Sequence, residues 1–316
     1  MKRVAAIDCG TNSIRLLIAD LSAEADGSVR LSDLHREMRV VRLGQGVDAN
    51  GAFAEEALER TFAAVDDYAS LISQHDVEAV RFVATSATRD AENREIFIAG
   101  IKHRLGVAPD VVPGSEEAEL SFAGAVSVLP DAAAQSVLVV DLGGGSTEFV
   151  IGAGGRVAAA RSVNMGCVRF TERYLHSDPP LEAEVAAARA EAARIIAEVA
   201  EQIPLAQVRR VIGVAGTITT VTAHALELPD YQAQAINGSS LSFQELSRAA
   251  ASLTAMSKAE RAALPYMHPG RVDVIGAGAL LWRTILESLA ELSAGALSTA
   301  TTSEHDILDG IALSLK

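Results

Sequence analysis

One segment occurs twice in this 316-residue chain, and this repeat constrains the fold more than any other feature. Residues 4–18 read Val-Ala-Ala-Ile-Asp-Cys-Gly-Thr-Asn-Ser-Ile-Arg-Leu-Leu-Ile, and residues 137–151 read Val-Leu-Val-Val-Asp-Leu-Gly-Gly-Gly-Ser-Thr-Glu-Phe-Val-Ile. Matching residues, such as Asp8 and Asp141, stand 133 positions apart throughout, so the copies align without a gap. Each copy has an apolar run, a glycine-containing turn and a second apolar run, which predicts a buried strand, a turn and a second strand.

The turn of each copy has the composition of a phosphate-binding loop. Glycine and small hydroxyl residues let the backbone approach an anion and direct its N–H groups toward it. The aspartates Asp8 and Asp141 beside the turns suit a hydrated divalent cation. For one copy alone, a tight hairpin with glycine at positive φ explains the residues equally well, but the in-register repetition favours two cradles that face each other across a cleft. The predicted phosphate-binding residues are Thr11, Asn12, Ser13, Gly143, Gly144, Gly145 and Ser146.

A pair of acidic residues, Glu116 and Glu117, stands at the entrance to a predicted helix. A phosphoanhydride hydrolase needs a carboxylate that orients or deprotonates water. The alternative is that Ser115 caps the helix and the acidic side chains complement its dipole. A helix N-terminus lowers the pKa of a carboxyl group, whereas a base acting on water benefits from a raised pKa, so the two interpretations conflict electrostatically.

Two further positions carry candidate charges. Glu148 follows the second glycine run, and together with Asp141 it could hold Mg²⁺ through carboxylates and water. Its alternative is a solvent-facing strand residue, but its counterpart in the first copy is Arg15, of opposite charge. Arg89 could bind phosphate oxygens in a bidentate manner, or it could be a surface arginine beside Asp90. The segments 213–217 and 276–278 offer further backbone donors, each a weak signal alone.

Composition excludes several classes of protein. The net charge of −14 argues against a general nucleic-acid-binding protein, so an anionic substrate would need local arginines, backbone N–H groups and metal ions. Cys9 and Cys167 are the only cysteines, which supports neither a zinc site nor a disulfide scaffold. The amino terminus meets Asp8 before an apolar leader could form, and no later stretch reaches the roughly 20 apolar residues of a membrane span. We therefore expect a cytoplasmic protein without a membrane partner.

The rest of the chain alternates between strand and helix patterns, which predicts an α/β protein whose second half, from about residue 122, repeats the first. Segment 129–136 breaks the pattern before the second copy. Strands are predicted at 31–43, 77–84, 111–112 and 208–215. Helices are predicted at 55–74, from the end of segment 85–91 to about 105, at 181–202, 243–253 and 274–289, and from 302–306 onward.

Taken together, these residues resemble the exopolyphosphatase and guanosine pentaphosphate phosphatase (Ppx/GppA) family within the actin, Hsp70 and sugar-kinase superfamily. The resemblance covers essentially the whole chain. It is most specific in segments 8–13, 85–89, 114–118, 141–148 and 164–169, and the Gly-Ser-Glu-Glu-Ala run points to the phosphatases. It implies two duplicated ribonuclease-H-like (actin-like ATPase) domains across a central cleft: 1–122, with 303–316 packing back on it, and 123–302. The HD-type domain of longer members would be absent.

The resemblance also implies roles. Glu117 resembles the general base for the attacking water, and Arg89 resembles a ligand of the phosphate chain. Asp141 and Glu148 resemble the carboxylates that hold Mg²⁺, with Mn²⁺ as the alternative, and position water. The implied substrate is polyphosphate or pppGpp, and a homodimer is expected. Two alternatives stay open: an ATP-dependent small-molecule kinase that uses the same cradles, and a non-catalytic nucleotide-binding scaffold.

Overall fold

The computed structural model describes residues 1–24, 28–127 and 136–316, and the predicted break at 129–136 therefore lies outside the described residues except for Ser136. The chain forms two compact units. The first comprises Met1–Gly124 and Asp306–Lys316, and the second comprises Ala125–His305. Each unit is described separately.

The first unit contains a mixed sheet flanked by helices. Its elements are β1 (Lys2–Cys9), β2 (Ser13–Ala23), β3 (Val29–Val40), α1 (Val47–Asn50), α2 (Glu55–Ser73), β4 (Ala79–Ala84), α3 (Ser86–Asp90), α4 (Arg94–Leu105), β5 (Asp110–Val111) and α5 (Gly114–Ser127). The strand order is β3-β2-β1-β4-β5. Strand β1 pairs antiparallel with β2 and parallel with β4.

The second unit repeats this plan. Its elements are β6 (Val137–Leu142), β7 (Thr147–Ala153), β8 (Arg156–Val163), α6 (Cys167–Tyr174), α7 (Glu182–Gln202), β9 (Arg210–Val214), α8 (Ala215–Ala225), α9 (Ala233–Ile236), β10 (Ser240–Ser242), α10 (Phe243–Ala255), α11 (Lys258–Ala262), α12 (Ile275–Leu292) and β11 (Thr299–Thr302). The strand order is β10-β11-β9-β6-β7-β8. The last helix, α13 (Ile307–Leu313), belongs to the first unit.

The two sheets share one arrangement of five strands, to which the second sheet adds β10 at its edge, and this confirms the predicted duplication. In each, a strand that ends in the repeated turn pairs antiparallel with the next strand and parallel with a later one. The turns close in the same way. The Gly10 N–H donates to the Ser13 carbonyl at 3.0 Å, and the Gly143 N–H donates to the Ser146 carbonyl at 3.1 Å.

Alternate residues of β1 supply two separate apolar layers, because successive strand side chains point to opposite faces of a sheet. Ala5 and Ile7 pack with the helices α2 and α4, whereas Val4 and Ala6 pack with α13. The last helix of the chain therefore covers one face of the sheet whose β1 leads into the repeated turn.

Helix α13 crosses α5 at two glycines. A Cβ at Gly124 would overlap the carbonyl of Asp306, and a Cβ at Gly310 would overlap the carbonyl of Leu120. Such close backbone approach is possible only without side chains. The crossing joins α5, which carries Glu117, to the helix that Asp306 caps.

The predicted helices are confirmed with small shifts of their ends, including the helix expected between segment 85–91 and about residue 105, which is α4. The strand expected at 31–43 is β3, which ends at Val40. The elements that were not predicted are α1, α3, β8, α6, α8, α9, β10, α11 and β11. In the described residues, each helix is too short or too polar to cross a membrane.

Candidate active site

A buried ion pair flanks the first repeated turn. Asp8, the penultimate residue of β1, lies directly opposite Arg15 of β2. Its Oδ2 accepts the Arg15 Nε–H at 2.9 Å and the Nη2–H at 2.6 Å, while Nη1 binds the Asp306 carboxylate. Burial raises the pKa of Asp8, and the Arg15 charge acts in the opposite direction. Arg15 therefore ties the end of β1 to the start of α13.

The catalytic candidate Glu117 lies in the first turn of α5 and is 7 % exposed. Its Oε2 accepts the Arg89 Nη1–H at 2.6 Å, and the same nitrogen donates to the Val112 carbonyl at 2.9 Å. Burial is the largest influence and raises the pKa of Glu117. The Arg89 charge and the Thr85 hydroxyl act against it, and the charge of Asp8 adds to it. Desolvation thus outweighs the Arg89 charge and the hydrogen bonds to Arg89 and Thr85, and the raised pKa is what a base acting on water requires.

The neighbouring residue Glu116 forms an ion pair with a different arginine. Glu116 Oε1 accepts the Arg81 Nη2–H at 2.5 Å, and its side chain is 40 % exposed. The structure thus separates the acidic pair into an exposed ion pair and a buried carboxyl group beside Arg89. Arg89 contacts Glu117. This contact does not support the alternative interpretation, a surface arginine paired with Asp90.

The carbonyl groups of the first turn are held by the segment after β3. Thr11 O accepts the Gly44 N–H at 2.8 Å, and Asn12 O accepts the Arg42 N–H at 2.8 Å. In a planar trans peptide the next N–H points away from the carbonyl, so the N–H groups of Asn12 and Ser13 face away from this segment. A Cβ at Gly44 would overlap the Thr11 side chain, which explains a glycine there.

The second turn is held in the same manner by the start of α6. Gly143 O accepts the Cys167 N–H at 3.0 Å, and Gly144 O accepts the Val168 N–H at 2.9 Å. Gly145 O accepts the Nε–H of the buried Arg169 at 2.9 Å. The next three N–H groups, those of Gly144, Gly145 and Ser146, consequently face away from α6.

Three consecutive N–H groups directed to one side form an anion-binding concavity. The Gly143 N–H closes the turn instead, so it is not part of this set. A Cβ at Gly166 would overlap the Gly144 carbonyl, and only glycine allows α6 to begin against the loop.

Asp141 and Glu148 lie directly opposite each other on β6 and β7, at the register position that Asp8 and Arg15 occupy on β1 and β2. Both are buried, with Glu148 only 1 % exposed. The Ser162 hydroxyl of β8 donates to Glu148 Oε1 at 2.7 Å. Residues directly opposite in an antiparallel pair share one face, so two carboxylates share a face beside the N–H groups of the second turn. This rules out the alternative of a solvent-facing Glu148.

The candidate ligands Asp141, Glu148 and Asp8 fit a magnesium ion only in part. Mg²⁺ in proteins is held by one or two carboxylates with water and substrate phosphates, which Asp141 and Glu148 could supply. Asp8 fits poorly, because Arg15 already donates two hydrogen bonds to its Oδ2. In the part of the chain that is described, no group of three or more His, Cys, Asp and Glu side chains has the arrangement of a metal site.

Comparison with known proteins identifies the chain. The model of the Ppx/GppA phosphatase family matches residues 21–315. The chain belongs to the Ppx/GppA phosphatase family. It is 51 % identical to "Exopolyphosphatase 2" of Mycobacterium tuberculosis, with 100 % of this chain and 99 % of the relative aligned. The crystal structure of an exopolyphosphatase-like protein superposes with a TM-score of 0.94 at 45 % identity, covering 99 % of this chain and 97 % of that one.

A second relative carries a different activity in its name. "Guanosine-5'-triphosphate,3'-diphosphate pyrophosphatase" of Photobacterium profundum is 36 % identical, but only over 68 % of this chain and 42 % of its own length. The family and the duplicated α/β fold predicted from the sequence are thereby confirmed. The roles of the individual site residues stay predictions, as do a homodimer and the exclusion of nucleic acid.

Proposed function

We propose that this protein hydrolyses the terminal phosphoanhydride bond of linear polyphosphate and releases orthophosphate. The observation on which the proposal rests is the buried Glu117 carboxyl group. Burial raises the pKa of this group, and Arg89 donates a hydrogen bond to it. Membership of a phosphatase family and the full-length similarity to an exopolyphosphatase support it. Hydrolysis of pppGpp to ppGpp is the second candidate, supported by a relative that matches a smaller part of the chain.

In the proposed reaction, a water oxygen attacks the terminal phosphorus while Glu117 takes one proton from that water. The bond from this phosphorus to the bridging oxygen breaks, so orthophosphate leaves and the shortened chain keeps the bridging oxygen. The N–H groups of Asn12, Ser13, Gly144, Gly145 and Ser146 are suited to stabilise charge on phosphoryl oxygens, which is the main catalytic task in this class of reaction. Arg89 contributes a positive charge beside the base.

Asp141 and Glu148 would hold Mg²⁺, or Mn²⁺, in this scheme. The bound ion supplies positive charge that neutralises phosphate oxygens. Ser162, which donates to Glu148, fixes the orientation of that carboxylate. We leave Asp8 out of the metal set and assign to it an electrostatic role, because its charge raises the pKa of Glu117.

We place this activity in the cytoplasm. Cys9 and Cys167 are free and buried, which is consistent with a reducing compartment.

The decisive experiment is phosphate release from polyphosphates of graded length, pppGpp and ATP, each with Mg²⁺ and with EDTA. We expect Mg²⁺-dependent release from polyphosphate without any acceptor molecule. Glu117→Gln is expected to abolish turnover, and the control Glu116→Gln, which alters only the exposed pair with Arg81, is expected to retain it. Release only from ATP with an added acceptor would favour the kinase, and no release from any substrate would favour the scaffold.

A further inference from the structure

The two repeated turns differ in how one of their carbonyl groups is held. In the first turn, Asn12 O accepts the backbone N–H of Val41 at 3.1 Å and that of Arg42 at 2.8 Å. The matching residue of the second turn, 133 positions later, is Gly145. Its carbonyl accepts the Nε–H of Arg169 at 2.9 Å. A backbone contact in the first copy is thus replaced by a side-chain contact in the second.

The peptide between Gly145 and Ser146 follows a run of three glycines, residues 143–145. Glycine adopts positive and negative φ with similar ease, so this peptide can rotate more freely than the one that follows Asn12. In a planar trans peptide, a fixed carbonyl also fixes the next N–H on the opposite side. By holding Gly145 O, Arg169 therefore directs the Ser146 N–H away from α6.

Arg169 contacts the second turn through both its backbone and its side chain. It lies in the first turn of α6 and is 8 % exposed. Its own N–H donates to Gly144 O at 3.2 Å, and the neighbouring Val168 N–H donates to the same carbonyl at 2.9 Å. The Arg169 side chain holds the next carbonyl, Gly145 O. A change of this side chain therefore acts on the Gly145 carbonyl while the backbone contacts to Gly144 O persist.

We propose that Arg169 is a positioning residue for hydrolysis, whose Nε–H holds the peptide between Gly145 and Ser146 so that the Ser146 N–H points at the phosphoryl oxygens. This inference rests on the proposed function, because it assumes that the second turn binds phosphate. A donor aimed at these oxygens stabilises the charge that grows on them in the transition state. Arg169 would therefore affect kcat more than KM.

Three variants of the full chain separate the hydrogen bond of Arg169 from its charge. Counted along the side chain, the amide nitrogen of glutamine stands where arginine has Nε, so Arg169→Gln keeps an N–H donor and loses the charge. Lysine has a carbon atom at that position, so Arg169→Lys keeps the charge and loses this donor. Arg169→Met loses both. The matched control is Arg173→Gln, which removes a charge at an exposed position of the same helix.

The first measurement is steady-state hydrolysis of tripolyphosphate. For Arg169→Lys and Arg169→Met we expect kcat to fall about 100- to 1000-fold, the factor for the loss of one donor to a developing oxyanion, with little change in KM. Arg169→Gln is expected to keep most of the wild-type kcat, and Arg173→Gln is expected to keep all of it. Thermal unfolding of each variant verifies folding.

The opposite order of activities overturns the inference. If Arg169→Lys keeps kcat while Arg169→Gln loses it, the positive charge matters and the orientation of the peptide does not. A wild-type kcat in both variants also overturns the inference. If Arg169→Met does not fold, the comparison between the glutamine and lysine variants still decides.

Amide NMR spectra recorded during titration with orthophosphate separate this inference from the proposed function, because they require no turnover. We expect orthophosphate to shift the amide resonances of Gly144, Gly145 and Ser146 in the wild type and in Arg169→Gln. In Arg169→Lys the Ser146 shift alone should be lost. A Ser146 shift that is absent from the wild type, or unchanged in Arg169→Lys, overturns the inference. The expected shifts in a protein that hydrolyses no phosphoanhydride would overturn the proposed function and leave the role of Arg169 in the turn standing.

Discussion

Arg15 and Glu148 occupy the same register position in the two copies of the hairpin, each directly opposite the aspartate that precedes the turn. In the first copy the opposite charges form a buried ion pair. In the second copy two acidic side chains share one face. The duplicated framework is thus used once for structural anchoring and once for a site that suits a cation and phosphate.

The first prediction concerns Arg15. Arg15→Met leaves the buried carboxyl groups of Asp8 and Asp306 without their cation, so we expect the free energy of unfolding to fall by about 3–5 kcal/mol at neutral pH. The pKa of Asp8, already raised by burial, would rise further above its value in the unfolded chain. The folded variant would therefore bind the Asp8 proton more tightly. Its loss of unfolding free energy relative to the wild type should consequently be smaller at pH 5 than at pH 8.

Urea unfolding of the wild type and of Arg15→Met at both pH values measures this effect. Arg3→Met, which removes the more exposed pair with Asp20, serves as the control and should cost far less. Equal losses for the two variants would contradict a special role for the buried Arg15 pair.

The second prediction concerns Glu148. Glu148→Gln keeps the size of the side chain and its contact with Ser162, so we expect the melting temperature to change little. Turnover should fall about 100- to 1000-fold, because charge stabilisation of the phosphoryl group is lost. Titration of Mg²⁺ by calorimetry should show weaker binding. Normal turnover with unchanged Mg²⁺ affinity would remove Glu148 from the site.

The third prediction concerns the pH dependence of the reaction. Glu117 must be ionised to accept a proton, so kcat/KM should rise with pH along an acidic limb. Because burial raises the pKa of Glu117, the apparent pKa of this limb should lie above the ordinary glutamate value of about 4.3. Arg89 lowers this pKa, and Arg89→Met should therefore move the limb to higher pH. Arg81→Met, which affects the neighbouring Glu116, should leave the limb in place. A limb that is unmoved in Arg89→Met would argue against Glu117 as the base.

The fourth prediction concerns Gly166. A methyl group at this position would overlap the Gly144 carbonyl and displace the second turn, so Gly166→Ala should lower kcat/KM on the order of 100-fold. Gly155→Ala is the control: its Cβ meets no atom within 4 Å, and its positive φ alone should cost about 1–2 kcal/mol of stability without affecting catalysis. Equal activity of the two variants would show that the contact between α6 and the turn is dispensable.

The repeat could be predicted from the sequence because its strands are continuous apolar runs interrupted by glycine. The elements that were not predicted have a local sequence pattern that is weak or favours a different structure. Helix α8 is rich in Thr, Val and Ile, which favour strands, and it is helical because it packs in the core beside β9. Strand β8 lies at the sheet edge and is mostly half-exposed, so its apolar pattern is weak.

The candidate site follows from the sequence only as a set of residue types, and the roles of these residues stay predictions. Asp141, Glu148, Arg89 and Glu117 follow from motifs, but the raised pKa of Glu117 does not, because sequence position indicates a helix dipole and not the extent of burial. The role of Gly166 depends on contact with a turn about 20 residues away, which no local pattern encodes. The contact between Arg271 and Gly216 was not predicted either, because it exists only once the segment before α12 packs on the start of α8.

The crossing of α5 and α13 at Gly124 and Gly310 makes the last eleven residues, Asp306–Lys316, a part of the first unit despite their distance along the chain. Residues 306–316 must therefore be synthesised before the helix bearing Glu117 can take its final place. A nascent chain that stops before Asp306 would carry every proposed phosphate-binding residue and still lack a correctly placed Glu117.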